Sequence, residues 1–262
     1  METVMKKIIC FLAGAALLLA SACSKDDGNN GDGGKRLSKV TGIYDEGSSQ
    51  TFAEELVFTW EGSNLKRVES WDGNERDYYA DFTYSNGRLE EITFQETGKG
   101  GETDVFRLSY TGDRITGVAY YFNGIHESDY ALAYNGEGLL STIDINSGDF
   151  VFYLTWNNGN ITRRDVVDEG YNIYLYDSKH NPYPQPYALL MAFLEDEFYY
   201  LSANNLETKR WLPYQGSGSS TRSYVYTYDG DYPVMSSYSS SGGSGRYYYQ
   251  YTDGSGLVPP AH

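Results

Sequence analysis

The stretch Phe82-Thr-Tyr-Ser-Asn-Gly-Arg-Leu-Glu-Glu-Ile-Thr-Phe94 places two short runs of alternating apolar and polar residues on either side of Asn86-Gly87. Asn-Gly between such runs is the strongest short-range hairpin signal, because both residues tolerate the positive φ angles of a type I′ turn. The stretch therefore predicts two antiparallel strands joined at Asn86-Gly87.

The same pattern returns along most of the chain, with an apolar residue, an aromatic residue two positions later, a turn containing Gly, and then Leu, Ile or Val. We call the aromatic residues of these units the anchor residues; they are Trp60, Tyr84, Tyr110, Tyr134, Trp156, Tyr228 and Tyr251. The first five are 24, 26, 24 and 22 residues apart. A unit of this length with one tight turn is a hairpin plus its connection. We therefore predict an all-β fold, a large antiparallel meander of repeated hairpins that forms a curled sheet or a barrel.

One detail of the units departs from simple alternation. Leu89 and Ile92 are three positions apart, and the same offset recurs at Leu65 and Val68. Residues with this offset should point to opposite faces of an ideal strand. Either a β-bulge recurs at the same place in each unit, or both faces of the sheet are partly apolar. The second explanation is favoured.

Residues 168–212 interrupt the repeat. Pro182 and Pro184 cannot occupy a central strand, because proline lacks the backbone donor. The apolar run that follows predicts one short helix near 186–194, buried against the sheet as a plug, with Pro186 in its first turn. The Ser- and Gly-rich stretch 236–245 is predicted to be a mobile loop.

The N-terminus has the form of a secretory signal, with Lys6-Lys7 before the apolar run Ile8–Ala20. The ending Ala20-Ser-Ala-Cys23 resembles the lipobox of bacterial lipoproteins, which implies a lipid on Cys23. Lys25, Asp26 and Asp27 resemble the export signal of Bacteroidota lipoproteins, which implies the outer face of the outer membrane. The alternative is a secreted protein with an ordinary cleavage site.

These features predict the organisation of the whole chain. It comprises a signal peptide over 1–22, a lipidated cysteine and flexible tether over 23–36, a single β-meander domain over 37–256 and a disordered tail over 257–262. Cys10 lies in the removed segment, so the mature chain has no second cysteine for a disulfide.

Charge excludes one class of partner. The chain has a net charge of −16, and removal of Glu2, Lys6 and Lys7 with the signal peptide makes it −17. Nucleic-acid binding depends on Lys and Arg displacing counterions from phosphates. We therefore expect no nucleic-acid partner, and membrane contact only through the lipid.

Tyrosine is unusually frequent, with 27 residues against 11 phenylalanines. Most are expected to pack on the sheet, with the hydroxyl reaching water or a carbonyl. A second possibility is a platform on which sugar rings stack. Tyr247, Tyr248 and Tyr249, together with Tyr120 and Tyr121, are the candidates, because consecutive aromatics place at least one ring on each face in any register.

Catalytic signatures are absent from the sequence. No His pair has metal-ligand spacing, and no nucleophile elbow or phosphate-binding loop is present. Glu54-Glu55, Glu90-Glu91 and Glu195-Asp196-Glu197 are possible acid pairs for a glycosidase. In a chain with this much negative charge, neighbouring carboxylates more often lie on a solvent-exposed surface than form a catalytic pair. We predict no catalytic residues, no metal and no cofactor.

The lipoprotein start, the repeated hairpins and the Tyr176-Asp-Ser-Lys-His-Asn-Pro182 break before an apolar helix resemble one family. It is the Bacteroidota lipoprotein family catalogued as domain of unknown function 4595. The resemblance covers residues 40–256 and implies a porin-like fold, here a water-soluble barrel, and no activity. The hairpins are also similar to the Tyr-Asp repeats of Rhs-type shells, best at Tyr228-Asp-Gly230.

The sequence therefore favours a non-catalytic binding or scaffold module at the outer membrane, anchored by lipid and facing the cell exterior. A glycan or an envelope protein is the expected partner. The alternatives are a glycan-binding protein that uses exposed tyrosines and a carboxylate-based glycosidase.

Overall fold

The computed structural model describes residues 35–45, 51–97, 100–195, 197–216 and 218–257. Sixteen antiparallel strands form a closed barrel in which each strand pairs with its neighbours in sequence, and the first pairs with the last. The predicted all-β meander is confirmed, and of the two forms expected the barrel is the one present.

The barrel strands follow one another along the chain. The first eight are β1 (Leu37–Asp45), β2 (Thr51–Glu61), β3 (Asn64–Asp72), β4 (Glu75–Ser85), β5 (Arg88–Glu96), β6 (Thr103–Thr111), β7 (Arg114–Phe122) and β8 (Ile125–Tyr134). The next four are β9 (Leu140–Ile145), β10 (Phe150–Asn157), β11 (Asn160–Val166) and β12 (Gly170–His180). Helix α1 (Gln185–Glu195) and a 3-10 turn (Phe198–Leu201) come before β13 (Asn204–Pro213), β14 (Ser220–Asp229), β15 (Tyr232–Ser240) and β16 (Gly243–Tyr251).

The hairpin that organises the repeat has the predicted turn. Ser85 pairs with Arg88 around the two-residue loop, in which φ is 50° at Asn86 and 78° at Gly87. Positive φ at both positions is the signature of type I′. Asn158-Gly159 repeats the same geometry between β10 and β11.

A β-bulge recurs just after these turns and explains the offset of three. On β5, Tyr84 pairs with Leu89 and Thr83 with Glu91, so Glu90 is an extra residue. Lys66, on β3, is extra in the same way. The bulge returns Leu89 and Ile92 to the same face, and both are buried. The repeated bulge, and not a second apolar face, therefore accounts for the spacing.

Most anchor residues connect their hairpin to the strand before it. In five of them, and in Tyr176 of the interrupted segment, the ring N–H or O–H donates to the carbonyl of the residue that precedes a bulge on the neighbouring strand, whereas the Tyr228 hydroxyl donates to the Asp177 carboxylate. The bonds are Trp60 to Leu37 (2.9 Å), Tyr110 to Leu89 (2.7 Å), Tyr134 to Ile115 (2.6 Å), Trp156 to Leu140 (2.6 Å), Tyr176 to Ile161 (2.8 Å) and Tyr251 to Pro233 (2.7 Å). Tyr and Trp recur here because Phe has no donor. We call this end of the barrel the anchor end.

Helix α1 lies inside the barrel, as predicted. It starts after β12 at the anchor end, with Pro186 as its second residue. Phe193 is fully buried and stacks on Phe106 of β6, with ring centroids 5.0 Å apart. Tyr187 meets the edge of Phe58 on β2 at 5.3 Å. The helix thus fills the barrel on the side of the first strands.

The outer face of the barrel carries cross-strand ion pairs among isolated apolar side chains. Glu91 lies opposite Arg107 across β5 and β6 and forms an ion pair with it at 2.8 Å. Arg67 and Asp81 form a second cross-strand ion pair, which is bidentate. Among the described residues, no helix has both the length and the apolar character to cross a membrane.

One local expectation is corrected by pairing between strands. Residues 236–245, predicted to be a loop, belong to β15 and β16 and the two-residue turn between them. Ser and Gly have little strand propensity of their own, and backbone hydrogen bonds to the neighbouring strands hold them in the sheet. Lys35, placed in the predicted tether, donates to Asp229 at 2.9 Å. Leu257, placed in the tail, donates its backbone N–H to Tyr249 at 3.2 Å.

Candidate functional site

A cavity of about 200 Å³ lies inside the barrel on the side that α1 does not fill. It is bounded by the last turn of the helix, the 3-10 turn and the inward faces of β14 and β16. The lining residues are Tyr183, Met191, Glu195, Glu197, Tyr199, Tyr200, Arg222, Tyr224, Tyr226, Tyr247 and Tyr249. We call this cavity the tyrosine chamber.

The position of the chamber follows from strand direction. Arg222 lies near the start of β14, opposite Ser240 beside the 241–242 turn, which is at the end of the barrel away from the anchor residues. Arg222 and Glu195 are exposed, whereas Tyr249 is buried. The chamber therefore opens at this second end and narrows towards the middle of the barrel.

Two tyrosine ladders line the chamber because alternate residues of a strand share a face. On β14 the rings of Tyr224 and Tyr226 stack with centroids 6.4 Å apart. Tyr247 and Tyr249 form the second ladder on β16. Between them, β15 presents the small residue Ser236, which bonds to the Tyr249 hydroxyl at 2.9 Å. A serine between two rows of rings leaves the space that the chamber occupies.

The 3-10 turn supplies the opposite wall. Tyr199 and Tyr200 stack at 4.6 Å, and Tyr183 meets Tyr200 edge to face at 4.8 Å. All three rings are half-buried, so they are packed against one another and still reachable from the chamber.

Charged groups are concentrated at the mouth. Lys209 forms an ion pair with Glu197 at 2.6 Å, with both side chains largely buried. The Arg222 guanidinium lies over the ring of Tyr238 at 5.2 Å. Glu195 makes no hydrogen bond or ion pair with the part of the chain that the structure describes.

The electrostatics of the chamber favour uncharged side chains. Loss of hydration and the neighbouring Glu197 and Glu54 raise the pKa of Glu195, while Lys209 opposes the shift. Burial raises the pKa of Tyr226 well above its usual value and that of Tyr249 to about 12. The tyrosines are therefore neutral hydrogen-bonding groups at physiological pH.

The structure separates the tyrosines of the 247–249 run. Tyr247 is half-buried and lines the chamber, where Tyr44 packs edge-on against it at 5.9 Å. Tyr249 is also inward but only 3% exposed. Tyr248 lies on the other face of β16 and is buried. Tyr247 is thus the member of the run with an accessible ring inside the barrel.

The second predicted pair lies elsewhere. Tyr120 is inward and buried, stacks on Phe106 and donates to Asp104 at 2.6 Å. Tyr121 is on the outer face, half-buried under Arg107. The structure does not bring this pair to the chamber.

The predicted acid pairs also diverge. Glu54 points inward and accepts from Tyr44 at 3.0 Å, whereas Glu55 is outward and pairs with Lys39. Glu91 is on the outer face. Glu195 and Glu197 meet at the chamber. No group of three or more His, Cys, Asp or Glu within the described ranges could hold a metal ion.

Cys23, Lys25, Asp26, Asp27 and Asp196 lie outside the described residues.

Sequence reasoning did not single out the residues that form most of the chamber. Tyr224 and Tyr226 alternate with Val225 and Thr227, so their common face was readable from the sequence. The contribution of Tyr199 and Tyr200 was not, because it depends on how the chain re-enters the barrel after α1.

Comparison with known proteins supports the fold. The chain is similar to a porin-like protein from Bacteroides uniformis, with a TM-score of 0.53 and 14% identity over 82% of this chain and 97% of that one. A porin-like protein from Bacteroides vulgatus matches with a TM-score of 0.43 and 10% identity, over 84% of this chain and 99% of that one. No family model matches the chain, and no curated protein does.

Proposed function

We propose that this chain is a non-catalytic binding module, anchored by a lipid on Cys23 at the bacterial outer membrane, which holds a small ligand in the tyrosine chamber. The observation that supports binding is the chamber itself. A barrel that served only as a scaffold would gain stability by filling this space. Instead, half-buried rings surround a cavity with ionisable groups at its mouth, which is the usual form of a ligand site.

The ion pairs of the outer wall support a barrel that stands in water. A barrel that spans a bilayer presents an outward apolar band, and outward charges near its middle are costly. The cross-strand ion pairs Arg67–Asp81 and Arg107–Glu91 occupy that outward surface here. The membrane attachment is therefore proposed to be the lipid on Cys23, with export to the cell exterior directed by Lys25, Asp26 and Asp27.

Lys35 and Arg36, the last two residues of the predicted tether, pack at the anchor end against Asp229 and Trp60. The chamber opens at the opposite end. In a lipid-anchored protein this arrangement favours a chamber mouth that faces away from the membrane, towards ligands outside the cell. Membership of the Bacteroidota lipoprotein family named above is part of the same proposal.

Binding in the chamber is tested by a thermal-shift screen of chemically diverse small molecules. A ligand of the chamber should raise Tm in the natural protein and not in Met191→Trp, which fills the cavity. Met235→Trp is the matched control, because Met235 is on the outer face of β15 and its change should leave the shift intact. A screen without any shift that Met191→Trp removes would overturn the binding proposal.

A glycan is a second candidate, because the accessible ring of Tyr247 could stack against a sugar. Binding on a glycan array that is lost in Tyr247→Ala, with Tm unchanged, would support it. An array without binding would exclude it. Hydrolysis of aryl glycosides that is lost in Glu195→Gln would instead show a glycosidase and overturn the non-catalytic proposal.

Anchoring is tested separately. The protein should incorporate labelled fatty acid in cells and be digested by protease added outside them. Cys23→Ala should lose the label. A label that persists in Cys23→Ala would contradict the anchor.

A further inference from the structure

The charges in and around the chamber do not balance. Glu195 and Glu197 line the chamber, and Glu54, on the inward face of β2, lies near enough to act on Glu195. Two cations, Lys209 and Arg222, accompany them. With three carboxylates and two cations, the group has a net charge of about −1 when all five side chains are ionised.

The partners within the group show where the excess lies. Glu197 is neutralised by Lys209 at 2.6 Å. Glu54 accepts hydrogen bonds from Tyr44 at 3.0 Å and Ser70 at 2.9 Å. Glu195 has no such partner among the described residues, although it lines the chamber. Glu195 is thus the carboxylate left for a ligand in the chamber to pair with.

Resting on the binding role proposed above, we propose that the ligand of the tyrosine chamber carries an organic ammonium group, which Glu195 and the surrounding tyrosine rings hold together.

The rings favour a cation for an independent reason. The face of an aromatic ring carries partial negative charge, and a desolvated cation within about 6 Å of the ring centre is attracted to it. Tyr199, Tyr200, Tyr224, Tyr226 and Tyr247 present half-buried rings around one small space. Aromatic walls with a carboxylate at the rim are the arrangement that recognises alkylammonium groups.

Other ligand classes use this site less completely. An anion could pair with Arg222, but Glu195, Glu197 and the faces of the rings would repel it. A neutral sugar could stack on Tyr247 but would leave Glu195 partly desolvated and without a counter-ion. The raised pKa of Glu195 reflects this cost, which a bound cation would relieve. The volume of about 200 Å³ limits the ligand to a small head group.

The experiment compares two molecules of the same shape. Choline and its uncharged carbon analogue 3,3-dimethylbutanol are titrated into the purified protein by calorimetry. Choline should bind at least about tenfold more tightly, since a desolvated cation–π and ion-pair site is worth that much. Equal affinities, or tighter binding of the neutral analogue, would overturn the proposal. This comparison uses the natural protein and needs no variant to fold.

Two variants then locate the charge. Glu195→Gln should weaken choline binding at least about tenfold and leave the neutral analogue unaffected. Glu207→Gln, on the exposed outer face of β13, should change neither. Unchanged choline binding in a folded Glu195→Gln protein would also overturn the proposal.

The outcomes distinguish this inference from the proposed function. If neutral compounds bind as tightly as choline or more tightly, and Met191→Trp abolishes that binding, the chamber is a ligand site that does not select for charge. The ammonium inference then fails while the binding module stands. If no compound in the thermal-shift screen gives a shift that Met191→Trp removes, both the ammonium inference and the binding module fail.

Discussion

Changing Tyr134 to Phe removes a single hydroxyl from the anchor end and tests why the repeat uses Tyr or Trp at these positions. In the folded protein that hydroxyl donates to the Ile115 carbonyl at 2.6 Å. The ring itself packs on the core and is retained in Phe. The difference between the two proteins is therefore one hydrogen bond between neighbouring hairpins.

The expected loss is about 1 kcal/mol, the usual net value of such a bond. Ile115 is only 1% exposed, so its freed carbonyl is shielded from water, and the penalty for an unsatisfied buried acceptor raises the upper end of the expected loss to about 3 kcal/mol. In a domain of more than 200 residues each kcal/mol of this loss corresponds to a decrease in Tm of about 2–4 °C.

Urea unfolding followed by tryptophan fluorescence measures the loss as a lower midpoint at unchanged slope. Tyr153→Phe is the matched control, because Tyr153 is 50% exposed on the outer face and should tolerate the change. Equal midpoints for Tyr134→Phe and Tyr153→Phe would refute the role assigned to the anchor hydroxyls.

Three further predictions follow from the interior. Phe193→Ala should lower the free energy of unfolding by about 3–5 kcal/mol, because it leaves a cavity where a fully buried ring stacks on Phe106. The control Val225→Ala, on the outer face, should change it by no more than about 0.5 kcal/mol. Equal urea midpoints for the two variants would contradict the role of the helix as a plug. Stability should be constant below about pH 10 and decline as the pH rises through about 12. Burial raises the pKa of Tyr134 to about 12, so the folded state favours the protonated hydroxyl and loses this advantage at higher pH. Urea midpoints that stay constant across this range would contradict the prediction. Choline affinity should fall as the pH drops through the raised pKa of Glu195, because protonation removes the counter-ion of the ligand; Glu197, Glu54 and Lys209 are the charged groups that act on this pKa. Calorimetry at several pH values measures this. An affinity that does not change with pH in the natural protein, as expected for Glu195→Gln, would contradict the prediction.

Much of the barrel wall was readable from local pattern. Asn86-Gly87 predicts its own turn because only a few residue types adopt positive φ easily. The spacing of the anchor aromatics indicated the length of each hairpin. The offset between Leu89 and Ile92 showed that alternation is interrupted, but the cause was misjudged, because a bulge and a two-sided apolar strand leave the same trace in sequence.

Stretch 236–245 shows the opposite case. Its Ser and Gly residues have little strand propensity, and the sequence reading made it a loop. In the barrel, β14 and β1 hold these strands from either side, so tertiary pairing overrides local preference. The same strand then presents Ser236 to the interior and leaves room for the chamber.

The sequence by itself determined the class of fold, the repeat and the buried helix, because these depend on residues close together in the chain. Only the tertiary structure decided that the meander closes and that α1 fills one side of the interior. It also decided that Glu195 lines the same cavity as Tyr224, Tyr226 and Tyr247, which come from two strands of the barrel. Closure and convergence depend on contacts between residues far apart in sequence, and no local pattern records which distant side chains share one enclosed space.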